Sequence, residues 1–177
     1  MRRKRLVSLV LGILISLLWV SCNEPLIELK KVDCYFQYEY LNHAWGYSHG
    51  GFTITPTGEV YVFDKTTPWV FAKDNILSSA SMMANLQSSV KRDTLIHESD
   101  LEYFQQLAYI AKSGVTSPPV LRGADMGAIL CKIIIPDPAD PTNYREIILR
   151  QTGDTEYHNL THEAGVISDW LVKIHLP

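Results

Sequence analysis

Cysteine is scarce in this chain and is never paired at short range. Three occur in 177 residues, at Cys22, Cys34 and Cys131. Without a Cys-x-x-Cys, a thioredoxin-type redox pair and a cysteine zinc site have no support. There is no Gly-x-Ser-x-Gly elbow, no Gly-rich phosphate loop and no dinucleotide fingerprint, so the common nucleophilic and nucleotide-binding chemistries have no residues to rest on. The mature region contains no internal repeat, Gly/Ser linker or low-complexity tract, which argues for one domain. The long apolar run is also a short one: Leu6–Val20 is 15 residues, diluted by Ser8, Gly12 and Ser16. A spanning helix needs ~18–20.

What is present begins at the N-terminus. Arg2-Arg3-Lys4-Arg5 supplies basic charge, Leu6–Val20 an apolar core, and Ser21 a small residue ahead of Cys22. That order is a secretory signal. The segment resembles the bacterial lipoprotein signals cut by signal peptidase II, whose lipobox ends in Leu, two small residues and Cys. Ser21 and Cys22 match its last two positions, Val20 is tolerated, and Trp19 stands where Leu is usual. The resemblance covers residues 1–22. It implies cleavage before Cys22, a diacylglycerol thioether on that cysteine and acylation of its new amine. Each buried methylene contributes ~0.8 kcal/mol, so two or three chains hold stably. In this family Asp after the cysteine signals inner-membrane retention; Asn23 implies the outer membrane. The expected organisation is a signal peptide over 1–21, a lipidated tether over 22–31 and a single domain over 32–177, in the cell envelope and facing the periplasm or the surface.

The first 21 residues hold four of the 16 basic residues and none of the 19 acidic ones, so the remaining 156 carry 12 basic against 19 acidic, a formal charge of −7. A chain of this size buries ~70% of its surface on folding. Its acidity argues against nucleic acid, which needs a basic face, and leaves membrane attachment to the lipid. It is compatible with a basic protein partner. With Cys22 acylated, Cys34 and Cys131 remain in an oxidising compartment where a disulfide persists.

The periodicity of the chain then outlines a fold. Val32–Leu41 alternates, with Cys34, Phe36, Tyr38 and Tyr40 on one face and Tyr35, Gln37 and Glu39 on the other, as in a half-buried strand. Tyr47–Thr55 reads as a second strand in which Gly50-Gly51 marks a bulge or a close backbone approach. Pro56-Thr57-Gly58 turns the chain into Glu59–Asp64, apolar on both faces. Ile76, Ala80, Met83, Gln87 and Val90 outline a first helix. Ser99-x-x-Glu102 forms a capping box for a second, with Leu101, Phe104, Leu107, Ala108 and Ala111 as its buried stripe and Gly114 as its stop. Gly127–Ile135 and Asn143–Gln151 follow as strands around a proline loop, with Ile129, Cys131, Ile133 and Ile135 inward beside Ile147 and Leu149. Thr161 caps a last helix carrying Ala164, Ile167, Trp170, Leu171 and Ile174. The order βββααββα predicts an α+β domain, an antiparallel sheet of about five strands with helices on one face.

Four segments of the C-terminal part, Arg122-x-Ala124-Asp125-x-Gly127, Glu146-Ile147-x-Leu149-x-Gln151-Thr152-Gly153-Asp154, Asn159-Leu160-Thr161-x-Glu163-Ala164 and Trp170-Leu171, together resemble a group of small uncharacterised bacterial lipoproteins. This covers the last third of the chain and implies a domain type without an activity.

Candidate chemistry is sparse. His162-Glu163-Ala164-Gly165-Val166 starts like a zinc-protease helix, but that motif needs a second His where Val166 stands. His158 lies four residues before His162, outside the helix that Thr161 caps. His43 and His49 flank Trp45-Gly46; on an extended strand six residues span ~20 Å, so they approach one another only through a sharp turn at Gly46. Asp125 and Asp154 fall at the open end of the expected hairpin, where paired carboxylates share a proton, hold a cation or act as acid and base. Gly-Ala-Asp and Gly-Asp are equally turn chemistry, and that reading is preferred. No residue set implies a metal or cofactor. The expectation is a non-enzymatic, lipid-anchored interaction or scaffold protein with an unknown protein partner and no nucleic acid. An inhibitor or immunity-type protein capping a basic partner is the alternative, and a hydrolase built on Asp125 and Asp154 the third reading.

Overall fold

The computed structural model describes residues 30–44 and 46–174. The signal segment, Cys22 and the tether through residue 29 lie outside them. In chain order the elements are β1 (Tyr35–Asn42), β2 (Ser48–Ile54), β3 (Glu59–Asp64), β4 (Ile76–Ser78), α1 (Ser79–Ser88), β5 (Val90–Leu95), α2 (Glu98–Ala111), β6 (Val120–Leu121), β7 (Ala128–Pro136), β8 (Asn143–Gly153), β9 (Thr155–His158) and α3 (His162–Ile174). The strands form one antiparallel sheet in the order β5-β3-β2-β1-β7-β8-β9-β6, with β4 also paired to β8. The α+β class and the antiparallel sheet agree with the sequence. The count of about five strands and the order βββααββα do not: nine strands occur among the described residues, and β4 and β5 fall where helix was expected. The four additional strands are short or polar. β5 is Val-Lys-Arg-Asp-Thr-Leu, exposed throughout at the sheet's edge, where charge discourages pairing with another chain.

One face of the sheet follows the predicted alternation. Cys34, Phe36, Tyr38, Ile54, Cys131, Ile133 and Leu149 pack against Leu101, Phe104, Ala108 and Ala111 of α2 and Ala164, Ile167 and Leu171 of α3. Trp170 joins the layers, stacked on Phe104 with centroids 3.8 Å apart and edge-on to Phe36 at 5.2 Å. Cys34 and Cys131 thus share one core and are both free. Tyr38 pairs with Cys131, so the two cysteines are offset by four residues, roughly 13 Å along the strands. A disulfide needs Cα atoms within ~7 Å.

The opposite face is buried too, which corrects the placement of helices on one side. Leu77, Met82, Leu86 and Ile134 form a second cluster there, with Tyr35, Tyr61 and Tyr144 against it. The first helix is therefore present but rotated: Met82, Asn85 and Leu86 face inward, while Met83 is exposed. At α2 the expected capping box is absent. His97 is the N-cap, its Nδ1 accepting from the Ser99 N–H, and Glu102 pairs with Lys31 instead. α3 opens as expected, with the Thr161 hydroxyl accepting from the Ala164 N–H.

Two glycine positions are fixed by close approach. A Cβ on Gly51 would lie 2.0 Å from the Tyr38 carbonyl oxygen, the tight backbone contact that Gly50-Gly51 foreshadowed. A Cβ on Gly114 would lie 2.1 Å from Asn159 Oδ1. Asn159 needs that space: its amide donates to the Ala111 carbonyl at the end of α2, while its oxygen accepts from the Thr161 N–H and hydroxyl at the start of α3.

Candidate functional site

The residues singled out from sequence do not assemble into one site. β7 and β8 form the expected hairpin, with Ala128 opposite Gly153 and Ile133 opposite Ile147, and a bulge at Cys131/Lys132 shifts the register by one between its two ends. At its open end Asp154 acts as turn chemistry: Oδ1 accepts from the Met126 N–H at 2.7 Å, and its backbone bonds Gly127, Arg122 and Gly123. Asp125 is exposed at φ +67°, a left-handed position that Asp and Asn tolerate. Beside them Arg122 pairs with Glu156. His43 is exposed, and its ring lies 5.3 Å from that of Tyr47. His158 and His162 fall on β9 and α3. Among the described residues no group of three or more His, Cys, Asp or Glu could hold a metal ion.

His49 behaves differently. It is 3% exposed and belongs to a network of ionisable side chains on the sheet face opposite α2 and α3. Alternation on three adjacent strands builds that network. Gln37 and Glu39 of β1 point away from the apolar core; Gln37 pairs with Lys132 of β7, and Leu41, one step beyond Glu39 on the same face, with His49 of β2. Glu39 Oε1 lies 2.8 Å from His49 Nε2, and Glu39 Oε2 lies 2.5 Å from Lys132 Nζ. Lys132 Nζ also bonds Glu146 Oε2 of β8 at 3.1 Å, and the Gln37 amide donates to Glu39 Oε2 at 3.3 Å. Lys132 thus stands between two carboxylates, the position a bound cation would take.

Electrostatics follow from this geometry. Burial pushes the Glu39 carboxyl up, but the hydrogen bond from His49 and the charge of Lys132 together hold it below the usual value. Burial likewise pulls the Lys132 ammonium down, and Glu39 and Glu146 outweigh it, leaving the lysine above its usual value. Both groups stay ionised because each has its partner. An ionised carboxylate only accepts, so His49 Nε2 carries the proton directed at Glu39. In the neutral ring Nδ1 is then the lone-pair nitrogen, and it has no hydrogen-bond partner among the described residues.

The lid over His49 belongs to no regular element. Between β3 and β4 the chain crosses this face as a strap, Pro68–Ala72. Its Trp69 stacks on Phe63 at 4.0 Å and meets the His49 ring edge-on at 5.4 Å; the Phe71 ring lies 5.2 Å from His49. Tyr47 approaches His49 from a further side at 6.1 Å. The strap's ends are anchored. At one, Asp64 Oδ1 accepts from the N–H and hydroxyl of Thr66; at the other, Lys73 and Ile76 bond one another around Asp74-Asn75. Its middle is held by α1 side chains: Asn85 accepts from the Val70 N–H and donates to the Val70 carbonyl, both at 2.8 Å, and the Ser88 hydroxyl donates to the Pro68 carbonyl.

Alternation put Glu39 on the face away from the apolar core, and Lys132 carried no expectation. One signal was available. Lys132 interrupts an otherwise apolar strand between Cys131 and Ile133. A strand apolar on both faces is covered on both, and a lysine within it requires buried carboxylates. No family model matches the chain, and no curated protein matches it significantly.

Proposed function

We propose that the chain is a lipid-anchored protein of the cell envelope, held at the outer membrane through acyl groups on Cys22, whose domain works by contact with a protein partner. The observation that carries this reading is the order of basic, apolar and small residues ending at Cys22. The start of the described chain is consistent with it. Val32 N–H donates to the Gln105 carbonyl, Lys31 pairs with Glu102, and Lys30 Nζ lies over the Tyr109 ring, so the chain joins the domain along α2. Lys30 is eight residue steps from Cys22, a reach of at most ~28 Å. On this reading the α2 surface lies nearest the anchor. No helix among the described residues is long and apolar enough to cross a membrane.

A second reading, an inhibitor or immunity-type protein capping a basic partner, is supported by the cleft at the start of α2, where Asp33, Glu98 and the Lys31-paired Glu102 stand around Leu95, Ile96 and Leu101. The hydrolase alternative has less to support it, because the Asp154 carboxylate is engaged by a turn amide.

Mass spectrometry of the membrane fraction tests the anchor: an acylated peptide beginning at Cys22 is expected, and Cys22→Ser should release the protein from the membrane. A mature protein that retains Met1 or carries an unmodified Cys22 overturns the reading. Crosslinking in intact envelope, followed by capture, tests the partner. A basic protein attached near Glu98 and Glu102 selects the second reading over a general scaffold.

A further inference from the structure

The strap and the network beneath it have a mismatch that neither packing nor charge pairing accounts for. Glu39, Lys132 and Glu146 are mutually satisfied, whereas His49 Nδ1 is buried without a partner beneath aromatic rings. Among the described residues, the cover has no strand pairing of its own, and the bonds to the backbone of Pro68–Ala72 come from the side chains of Asn85 and Ser88. Val70 and Phe71 of the strap are each 46% exposed, although the Phe71 ring also lies 5.2 Å from that of His49. The floor is the reverse: β1, β2 and β7 are continuously paired around Glu39, His49 and Lys132. A rigid floor, an oriented imidazole and a cover tied by two side chains between anchored turns form a gated site.

We propose that Pro68–Ala72 opens as a unit over His49 and admits a small ligand that donates a hydrogen bond to Nδ1. Glu39 holds the imidazole through Nε2, which leaves Nδ1 of the neutral ring as the acceptor without a partner. Removal of Trp69 from the face of Phe63 leaves an aromatic wall beside that acceptor. The chemistry selects a compact ligand with a ring face and a hydroxyl or N–H donor. Motions of anchored loops of this kind expose buried groups without unfolding the sheet.

The test uses the full chain in detergent micelles. Diethylpyrocarbonate labels accessible imidazoles, and peptide mass spectrometry separates His49 from the exposed His43. His49 should label more slowly than His43, at a rate insensitive to low urea. Asn85→Ala should speed its labelling about tenfold and Ser88→Ala roughly two- to threefold, as expected for removing two bonds and one. Ser88 is less buried than Asn85, so that variant keeps the test alive if Asn85→Ala folds poorly. For the ligand, phenol should shift the Nδ1 nitrogen resonance of His49, whereas anisole, the same ring without a donor, should not. The gate is overturned if His49 labels only with the urea dependence of global unfolding in the wild type and both variants. The acceptor role is overturned if phenol and anisole act alike or neither acts.

Discussion

On one face of the sheet Phe36, Ile133 and Leu149 meet Ala108, Ile167 and Leu171. On the other, Glu39 pairs with Lys132 and His49, and His49 meets Trp69 and Phe71. Both faces exclude water, yet their members depend on one another differently. Each apolar side chain contributes burial largely on its own account, at ~25 cal/mol per Å². In the charged layer no member is stable alone: a carboxylate without Lys132, or Lys132 without its carboxylates, would be an uncompensated buried ion. The cover reflects the same contrast. Two helices close the apolar face, while a strap tied by Asn85 and Ser88 closes the charged end of the other.

The largest expected effect breaks the charged layer. Lys132→Met leaves Glu39 and Glu146 buried without a cation and should cost ~3–5 kcal/mol in urea unfolding, the range for removing one partner of a buried ion pair. The triple variant Glu39→Gln, Lys132→Met, Glu146→Gln should recover most of that loss, since no unpaired charge remains. Recovery of nothing would mean that the lysine's packing, not its charge, holds the layer. On the apolar face, Ile133→Val should cost about 0.5–1.5 kcal/mol with no dependence on the state of the charged layer. If the two effects fail to add, the faces are not independent.

The pH profile sharpens the comparison. Glu39 titrates below the usual carboxyl value of 4.5 in the folded protein, so the stability it contributes is present above that value and is lost as the pH falls through the lower folded value. Glu39→Gln should flatten this acid limb. The apolar face answers at the opposite end. Burial raises the thiols of Cys34 and Cys131 above their usual 9.0, so their contribution is intact below pH 9.0 and declines as the pH rises beyond it. Neither thiol should react with Ellman's reagent before unfolding. The smallest effects belong to the open end of the β7–β8 hairpin: Asp154→Ala should cost ~1 kcal/mol through the lost bond to the Met126 amide, and Asp125→Asn should leave the melting temperature unchanged.

The same contrast explains what was legible in the sequence. The apolar face announced itself through period: Cys34, Phe36 and Tyr38, then Cys131, Ile133 and Ile135, then Leu101, Phe104, Ala108 and Ala111 all fell where alternation or helical spacing placed them. The charged face was misread because alternation treats polarity as exposure. Gln37 and Glu39 lie on the non-core side of their strand and are nonetheless 2% and 1% exposed, covered by chain that returns from elsewhere in the sequence. The strap follows β3 by only a few residues, but α1, which ties it down, turns inward a polar Asn85 that bonds Val70, and no local pattern reports a tertiary contact of that kind. β4, β5, β6 and β9 escaped for a related reason: pairing partners define them more than their own residues do.

On the proposed gate, the charged layer is rigid beneath a cover that opens by itself. Native-state hydrogen exchange measures this directly, by comparing the Val70 amide, whose hydrogen bond goes to Asn85, with the amides of Phe36 and Ile133 in the strands below. Val70 should exchange through an opening well below the global unfolding free energy and nearly independent of urea, while Phe36 and Ile133 exchange only with the steep urea dependence of whole-domain unfolding. Exchange of all three amides at one free energy and one urea slope would contradict it, and would make the strap part of the core it covers.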